Sequence, residues 1–443
     1  MNNKSSKNNV KNKYNNSNTK VKTSKSKRLF VLMIIIFIVF FLLLFRIGYL
    51  QFIKGSYLKE MATKQQSTSR IISAKRGAIY DSTGTALAIS ADVDTITVNP
   101  DKLKKKADED TQALREKVAK ELSSLFELDY QETLNKVSST NSVETIVSKV
   151  EKEVTELENW MKENKISSGI NIDEDTKRYY PYSNLASNLI GFCGNDNQGL
   201  TGLEYYWDST LAGTAGKITT TQDASQDLIS NEDAQYYAAE NGSNLNLTID
   251  INIQTIAEKY LEQACVTNKC ADGGNIIIMD PNTGDILAMA TYPNYNLNTP
   301  FEPNSSLSST WDSLSKTAQS EALQKMWRNT AVSNTYEPGS VFKVVVASAA
   351  LEENIVSTDT PGIFFCSGSQ EVADRKIRCA NEAGHGYQSL RQALENSCNP
   401  AFIQLGQKIG VDTLYKYFKS FGLFTKTGIA TSGEATGIFH DKD

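Results

Sequence analysis

The strongest feature of the hydropathy pattern is an unbroken run of seventeen apolar residues, Leu29 to Phe45, which resumes past Arg46 with Ile47, Gly48, Tyr49 and Leu50. About 20 apolar residues cover the ~30 Å hydrocarbon core of a bilayer, so residues 29–50 predict one membrane-crossing helix, with Arg46 snorkelling and Tyr49 and Phe52 at the interface. A cleaved signal peptide is the rival reading. Its apolar region runs about 7 to 15 residues and closes on small residues, whereas Arg46 and Tyr49 follow this one. Beyond the helix, Ser69 to Ser90 predicts short strands about a turn at Asp81 to Gly84. Residues 101–165 turn helical in composition, with runs such as ALREKVAKELSSLFEL and VETIVSKVEKEVTELENWMKEN. Neither run sustains heptads, so amphipathic helices are expected rather than a coiled coil.

The segment 178–217, with Pro181 and several glycines, reads as loops and short strands, and the polar chain up to Gly242 as a domain boundary. A strand at Leu245 to Ile249 and a helix at 252–265 follow. Next, 275–279 (NIIIM) and 285–290 (DILAMA) form a hairpin about Asp280-Pro281-Asn282-Thr283-Gly284, a turn with Pro early and Gly last. Helical patterns dominate 318–419. The fold class is α+β.

Charge gives the anchor a direction. Residues 1–28 hold nine Lys or Arg and no Asp or Glu, although the whole chain has a formal net charge of −5. The positive-inside rule therefore puts 1–28 in the cytoplasm and everything beyond about Leu50 outside, at the cell membrane. Basic tails also bind phosphate, but this one has a single aromatic, Tyr14, and abuts a membrane helix; no nucleic-acid partner is expected. Two histidines, His385 and His440, and six cysteines without a C-x-x-C pair argue against a structural zinc or any other metal. His385 lies in the Gly-rich AGHGYQ with no nucleophile context, which argues against a His-based triad. No cofactor is expected.

The most informative stretch is Tyr336 to Leu351, YEPGSVFKVVVASAAL. Pro338 and Gly339 precede an apolar helix, which sets Ser340 at a helix N-terminus and Lys343 three residues on, along the same face. A serine hydroxyl is a weak nucleophile until a base takes its proton, and a lysine acts as that base once burial lowers its pKa. The bare S-x-x-K spacing recurs at Ser17, Ser24, Ser56 and Ser313, and Ser340 could equally be a capping serine. Only Ser340 combines the Pro-Gly turn with a buried helix, where an unpaired lysine is costly. Ser397-Cys398-Asn399 lies 57 residues downstream before another apolar helix. S-x-x-K followed by an S-x-N triplet is the order found in serine β-lactamases and penicillin-binding proteins.

The chain resembles the class B penicillin-binding proteins of the FtsI and SpoVD type. Arg76-Gly77-Ala78-Ile79-Tyr80-Asp81-Ser82-Thr83-Gly84 resembles that family's R-G-x-I-x-D-x-x-G motif, and Arg178-Tyr179-Tyr180-Pro181 and Gly199-Leu200-Thr201-Gly202-Leu203-Glu204 resemble two further motifs of its non-catalytic domain. Asp280 to Gly284, Tyr292-Pro293, and Glu337-Pro338-Gly339-Ser340 with Lys343 resemble the start of its transpeptidase domain. The resemblance implies a basic tail at 1–28, an anchor at 29–50, a mixed α/β pedestal or dimerisation domain at 55–242, and the first part of a β-lactamase-like transpeptidase domain at 245–443. It implies D,D-transpeptidation of peptidoglycan stem peptides, with β-lactams acylating the same serine. Ser340 would be the nucleophile, Lys343 its base, Ser397 a proton relay and Asn399 a contact to the substrate amide. A homodimer and a SEDS-type glycosyltransferase are the implied partners. A membrane-anchored β-lactam sensor or non-catalytic scaffold is the alternative from another class, and a β-lactamase a third.

Lys426-Thr427-Gly428 spells the third family motif but comes only 27 residues after Asn399, in a context resembling a separate segment, K-T-G-I-x-x-x-G-E. With 15 residues left after Gly428, the chain is expected to be incomplete within its catalytic domain and to lack robust transpeptidase or penicillin-acylating activity as written, whereas the full-length parent would have both. A disulfide between Cys366 and Cys379, which flank a predicted hairpin about Ala373 and Asp374, is expected in an oxidising exterior, against two free thiols. The topology has a direct check: protease added to intact spheroplasts should digest the chain beyond Leu50 and spare an epitope on the tail, and the reverse pattern would reject it.

Overall fold

The computed structural model describes residues 18–58, 61, 67–104, 108–150, 154–166, 168–222 and 228–439. The first seventeen residues of the basic tail, and His440, lie outside them. The chain divides into two units, one of residues 1–71 with 217–237 and one of 72–216 with 238–443.

In the first unit, Asn18–Gly48 is one α-helix that runs into a π-helical turn, Tyr49–Ile53. Its span Arg28–Ile53 is long and apolar enough to cross a membrane, and none of it is buried within the chain. An all-round apolar helix suits lipid, where every backbone group is satisfied inside the helix. The unit also holds a three-stranded sheet in the order Ser67–Ile72, Gly216–Gln222, Leu228–Tyr237. The polar stretch expected to be a boundary is thus an antiparallel strand pair.

The spine of the second unit is the strand Ala86–Val98. It pairs antiparallel with Ile170–Tyr179 along ten residues and with Glu144–Val150 on its other side. Near its start it pairs with Ile79–Tyr80, which lies parallel to Leu245–Asn246. Helices Asp108–Leu125, Tyr130–Val137 and Val154–Glu163 bury Val118, Leu122, Val137 and Leu157 with Ile96, Val98, Ile146 and Ile170 of the strands. Glu144–Val150 corrects the helical expectation for this stretch. Its Thr, Ile and Val are stiff at χ1 and suit a pleated surface, and the next described helix is Val154–Glu163. In 178–217, expected to be loops and strands, the chain instead makes three short helical turns, Ser187–Ile190, Gly202–Tyr206 and Asp208–Leu211.

The later part follows the expected strand, helix and hairpin. Asp250 caps the helix Ile251–Asn268 by accepting from the N–H groups of Asn252 and Ile253. That helix packs Ala257, Leu261 and Cys265 on Ala288 and Ala290 of the hairpin Gly274–Met279 with Ile286–Tyr292. Between Glu352 and Leu390, where helical pattern was expected, lie two small hairpins. Phe364–Cys366 pairs with Gly386–Gln388, and Ser369–Val372 with Arg375–Arg378 about the predicted turn at Ala373. They pack with Ala347, Ala350, Ala401, Phe402 and Leu405 of the helices Lys343–Glu352 and Asn399–Ile409.

The three motifs of the non-catalytic domain converge on one buried carboxylate. Glu204 accepts from Arg76 Nε at 2.6 Å and from Arg178 Nε at 2.7 Å, and its side chain and both guanidinium groups are almost wholly buried. Arg76 also pairs with Asp208 at 2.6 Å and reaches the Glu204 carbonyl at 2.7 Å, while Arg178 donates to the Gly77 carbonyl at 2.8 Å. Removing one partner of a buried network strands the remaining charges, so Glu204→Ala should cost about 3–5 kcal/mol in urea unfolding of the full-length protein. The exposed Lys75–Asp92 pair, at 2.7 Å, is the control: Lys75→Ala should cost less than about 1 kcal/mol. Equal losses would show that burial does not set the value.

Candidate active site

Ser340 lies in a 3₁₀ turn, Gly339–Phe342, that runs straight into the helix Lys343–Glu352. Gly339 takes φ +62°, the left-handed conformation that favours glycine, and so lets the chain turn sharply before the serine. Ser340 is exposed and Lys343, one turn on, is half-buried. The second half of the site comes from the start of the helix Asn399–Ile409, where Ser397 holds φ +47°. That conformation is uncommon for a residue with a Cβ and persists where its surroundings over-determine it.

These two helix starts meet at one ammonium group. Lys343 Nζ donates to the Ser397 carbonyl at 2.7 Å, to Ser397 Oγ at 3.0 Å and to Asn399 Oδ1 at 2.7 Å, with Ser340 Oγ at 3.3 Å. Ser397 Oγ donates to Ser340 Oγ at 2.8 Å. An ammonium has three protons, and the three shorter contacts account for them, so the longer contact to Ser340 is where a neutral amine could accept the serine proton. Burial lowers the Lys343 pKa, with the neighbouring Cys398 and Cys379 side chains acting in the opposite direction. Ser340, Lys343, Ser397 and Asn399 are thus brought together, as the sequence motifs expected.

Two neighbours had no signal in the motifs. The ring of Phe402 lies 5.5 Å from Lys343 Nζ, and the Arg378 carbonyl accepts from Asn399 Nδ2 at 3.0 Å. Phe402 reads from sequence only as a core residue of its helix, and a backbone carbonyl carries no side-chain signature. Lys426 to Gly428 lie in irregular chain rather than on a strand. Thr427 donates through its N–H and Oγ1 to Glu434 Oε1, both at 2.6 Å, and the Gly428 N–H reaches Glu434 Oε2 at 3.3 Å.

The cysteines depart from expectation. Cys366 and Cys379 are free thiols, not a disulfide. The two do meet, but Cys398 and His385 join them, and the four ligand atoms all lie within 4.8 Å of one another. Spacing gave no sign of this grouping, because packing of the hairpins against a helix assembles residues that match no ligand spacing along the chain. Burial pushes the Cys398 thiol up to about 11. Burial also raises Cys366, but N–H groups of Gly368 and His385 aimed at its sulfur bring it down to about 7.

Residues 71–247 match the family model of the penicillin-binding protein dimerisation domain, and residues 274–443 that of the penicillin-binding protein transpeptidase domain. The chain is 33% identical over 416 residues to stage V sporulation protein D of Bacillus subtilis, covering 94% of this chain and 60% of that protein. It is 27% identical over 402 residues to the peptidoglycan D,D-transpeptidase FtsI of Escherichia coli K12, covering 90% of this chain and 62% of FtsI. Among solved structures, the complex of PBP2 with MreC from Helicobacter pylori shares the fold with a TM-score of 0.65 at 23% identity, over 85% of this chain and 69% of that one. Penicillin-binding protein 2X of Streptococcus thermophilus does so with a TM-score of 0.60 at 24% identity, over 84% of this chain and 55% of that one. A dimerisation domain followed by a transpeptidase domain places the chain in the class B penicillin-binding proteins. The chain spans about 60% of the length of these two curated relatives.

Proposed function

We propose that the site performs serine acyl transfer on peptidoglycan stem peptides, as a D,D-transpeptidase, and that β-lactams acylate the same serine. The observation that carries this reading is the single cluster of Ser340, Lys343, Ser397 and Asn399 around Lys343 Nζ. Ser340 Oγ attacks the carbonyl carbon of the scissile peptide bond as its proton passes to neutral Lys343 Nζ. The bond to the terminal residue then breaks, and the leaving amine takes a proton through Ser397 Oγ, which bridges the other two groups. An acceptor amine then attacks the Ser340 ester, giving the cross-link and returning the proton to Ser340. The unpaired N–H groups at the start of the Ser340 helix favour the negative charge that develops on the carbonyl oxygen. Asn399, held by the Arg378 carbonyl, contacts the substrate amide.

The Arg28–Ile53 helix supports a membrane anchor, and the basic tail supports a cytoplasmic N-terminus with the site outside the cell. The pedestal supports dimer contacts, and a SEDS-type glycosyltransferase would supply the glycan strands. The solved complex of Helicobacter pylori PBP2 with MreC supports a protein partner of some kind.

A fluorescent penicillin should label the full-length protein, and Ser340→Ala should remove the label. Labelling of Ser340→Ala at the wild-type level would exclude Ser340 as nucleophile. Lys343→Ala should slow acylation by about 10²–10⁴-fold, the usual worth of a positioned base. Because the neutral amine is the base and burial lowers its pKa, the acylation rate should climb with pH and level off below the usual lysine range. A profile that is flat from neutral pH through that range would argue against Lys343 as base.

A further inference from the structure

We propose that Cys366, Cys379, Cys398 and His385 bind one Zn²⁺, and that this metal braces the Ser397-Cys398-Asn399 turn beside the active site. The inference rests on the chemistry and geometry of these four side chains and stands whether or not the proposed reaction is correct. Three thiols and an imidazole form a donor set that favours tetrahedral zinc, which binds sulfur at ~2.3 Å and nitrogen at ~2.0–2.1 Å. A tetrahedron with those bond lengths needs neighbouring ligand atoms roughly 3.5–3.8 Å apart. The four ligand atoms lie within 4.8 Å of one another, and Cys379 Sγ is 3.4 Å from His385 Nδ1. Contraction of the widest separations by about an ångström closes the set.

The surroundings are those of a built site. All three cysteines are buried, at 1%, 4% and 0% exposure for Cys366, Cys379 and Cys398. The Gly368 N–H points at Cys366 Sγ from 3.4 Å, and the Cys379 N–H donates to the Gly368 carbonyl at 2.9 Å, which fastens two ligand segments to each other. The Ala401 N–H, in the first turn of its helix, is directed at the Cys398 sulfur. Such donors orient thiolate ligands and offset their charge. Gly368, at φ +94°, has no room for a Cβ: one would lie 1.9 Å from the Glu382 carbonyl oxygen. The loop carrying His385 therefore packs directly over the turn that carries Cys366.

One disulfide does not account for this grouping, because it would leave a third buried thiol and an imidazole facing the bond. Metal binding uses all four. Three thiols release their protons to solvent and His385 binds through a neutral ring nitrogen, so the bound set carries one net negative charge with Zn²⁺ included. The consequence for the site follows from connectivity. Cys398 is the central residue of the turn that presents Ser397 and Asn399, and Asn399 Nδ2 is held by the carbonyl of Arg378, the residue before Cys379. A metal that fixes Cys379 and Cys398 fixes both ends of that contact.

The test uses the full-length protein purified without chelator. Elemental analysis should find about one zinc per chain. Replacement by Co²⁺ should give thiolate-to-cobalt charge-transfer bands with the d–d bands of a tetrahedral site. Cys398→Ser and His385→Ala should each weaken binding at least tenfold, while the exposed Cys270→Ser should leave it unchanged. His385→Cys should keep the metal and strengthen the charge-transfer band. Should a variant fail to fold by circular dichroism, the wild-type cobalt spectrum decides by itself. The bracing is read by hydrogen exchange, where zinc should slow the amides of 378–386 and 396–401. Metal-free protein with all these thiols titratable, a mass loss showing Cys366–Cys379 oxidation in the isolated protein, metal content indifferent to Cys398→Ser, or exchange unaltered by zinc would each overturn the proposal.

Discussion

A single buried carboxylate holds the non-catalytic domain together. Glu204 has no exposed side-chain surface and is neutralised by guanidinium groups from Arg76 and Arg178, more than a hundred residues apart in the chain. A charge removed from water is tolerated only when its partners are placed to take every lone pair. Tyr180 Oη and Cys193 Sγ occupy what the arginines leave. The segment of Arg76 ahead of the strand Ile79–Tyr80, the end of Ile170–Tyr179 and the helical turn Gly202–Tyr206 must therefore reach their positions together. Asp81 extends the constraint onward: its carboxylate accepts from the Ile251 N–H at the start of the helix Ile251–Asn268.

The cluster around Lys343 has a comparable logic on a smaller scale. Lys343 is a half-buried cation whose acceptors come mostly from one turn, Ser397 to Asn399, and that turn has a left-handed serine at its head. Neither feature is stable alone. An unpaired lysine is costly away from water, and a strained serine needs its neighbours to hold it. Each supplies what the other lacks, and Cys398 ties the turn to the hairpins behind it. The sulfur cluster and Ser340 thus share a wall of the same subdomain.

Much of this was legible in the chain. The seventeen-residue apolar run, the Pro-Gly turn before Ser340, the S-x-N triplet before an apolar helix and the hairpin about Asp280 to Gly284 are local signals, and local backbone preference or hydropathy carries them. Other elements misled. Glu144–Val150 lies in a Lys/Glu-rich stretch whose composition reads as helix, but pairing with Ala86–Val98 decides its conformation. Between Glu352 and Leu390 the hairpin about Ala373 was expected from its turn, whereas the pairing of Phe364–Cys366 with Gly386–Gln388 is too short for any period to show.

By itself, then, the sequence determined one apolar helix of membrane length and the motifs that single out Ser340, Lys343, Ser397 and Asn399 as candidate site residues, because each motif is written in contiguous residues. Tertiary structure alone decided that Arg76, Arg178 and Glu204 form one buried network. It alone decided that Cys366, Cys379, His385 and Cys398 meet within 4.8 Å rather than forming a single cysteine pair. The physical reason is the same in both cases. Burying apolar faces of strands and helices brings distant segments to one point, and residues that converge in this way leave no fixed interval along the chain.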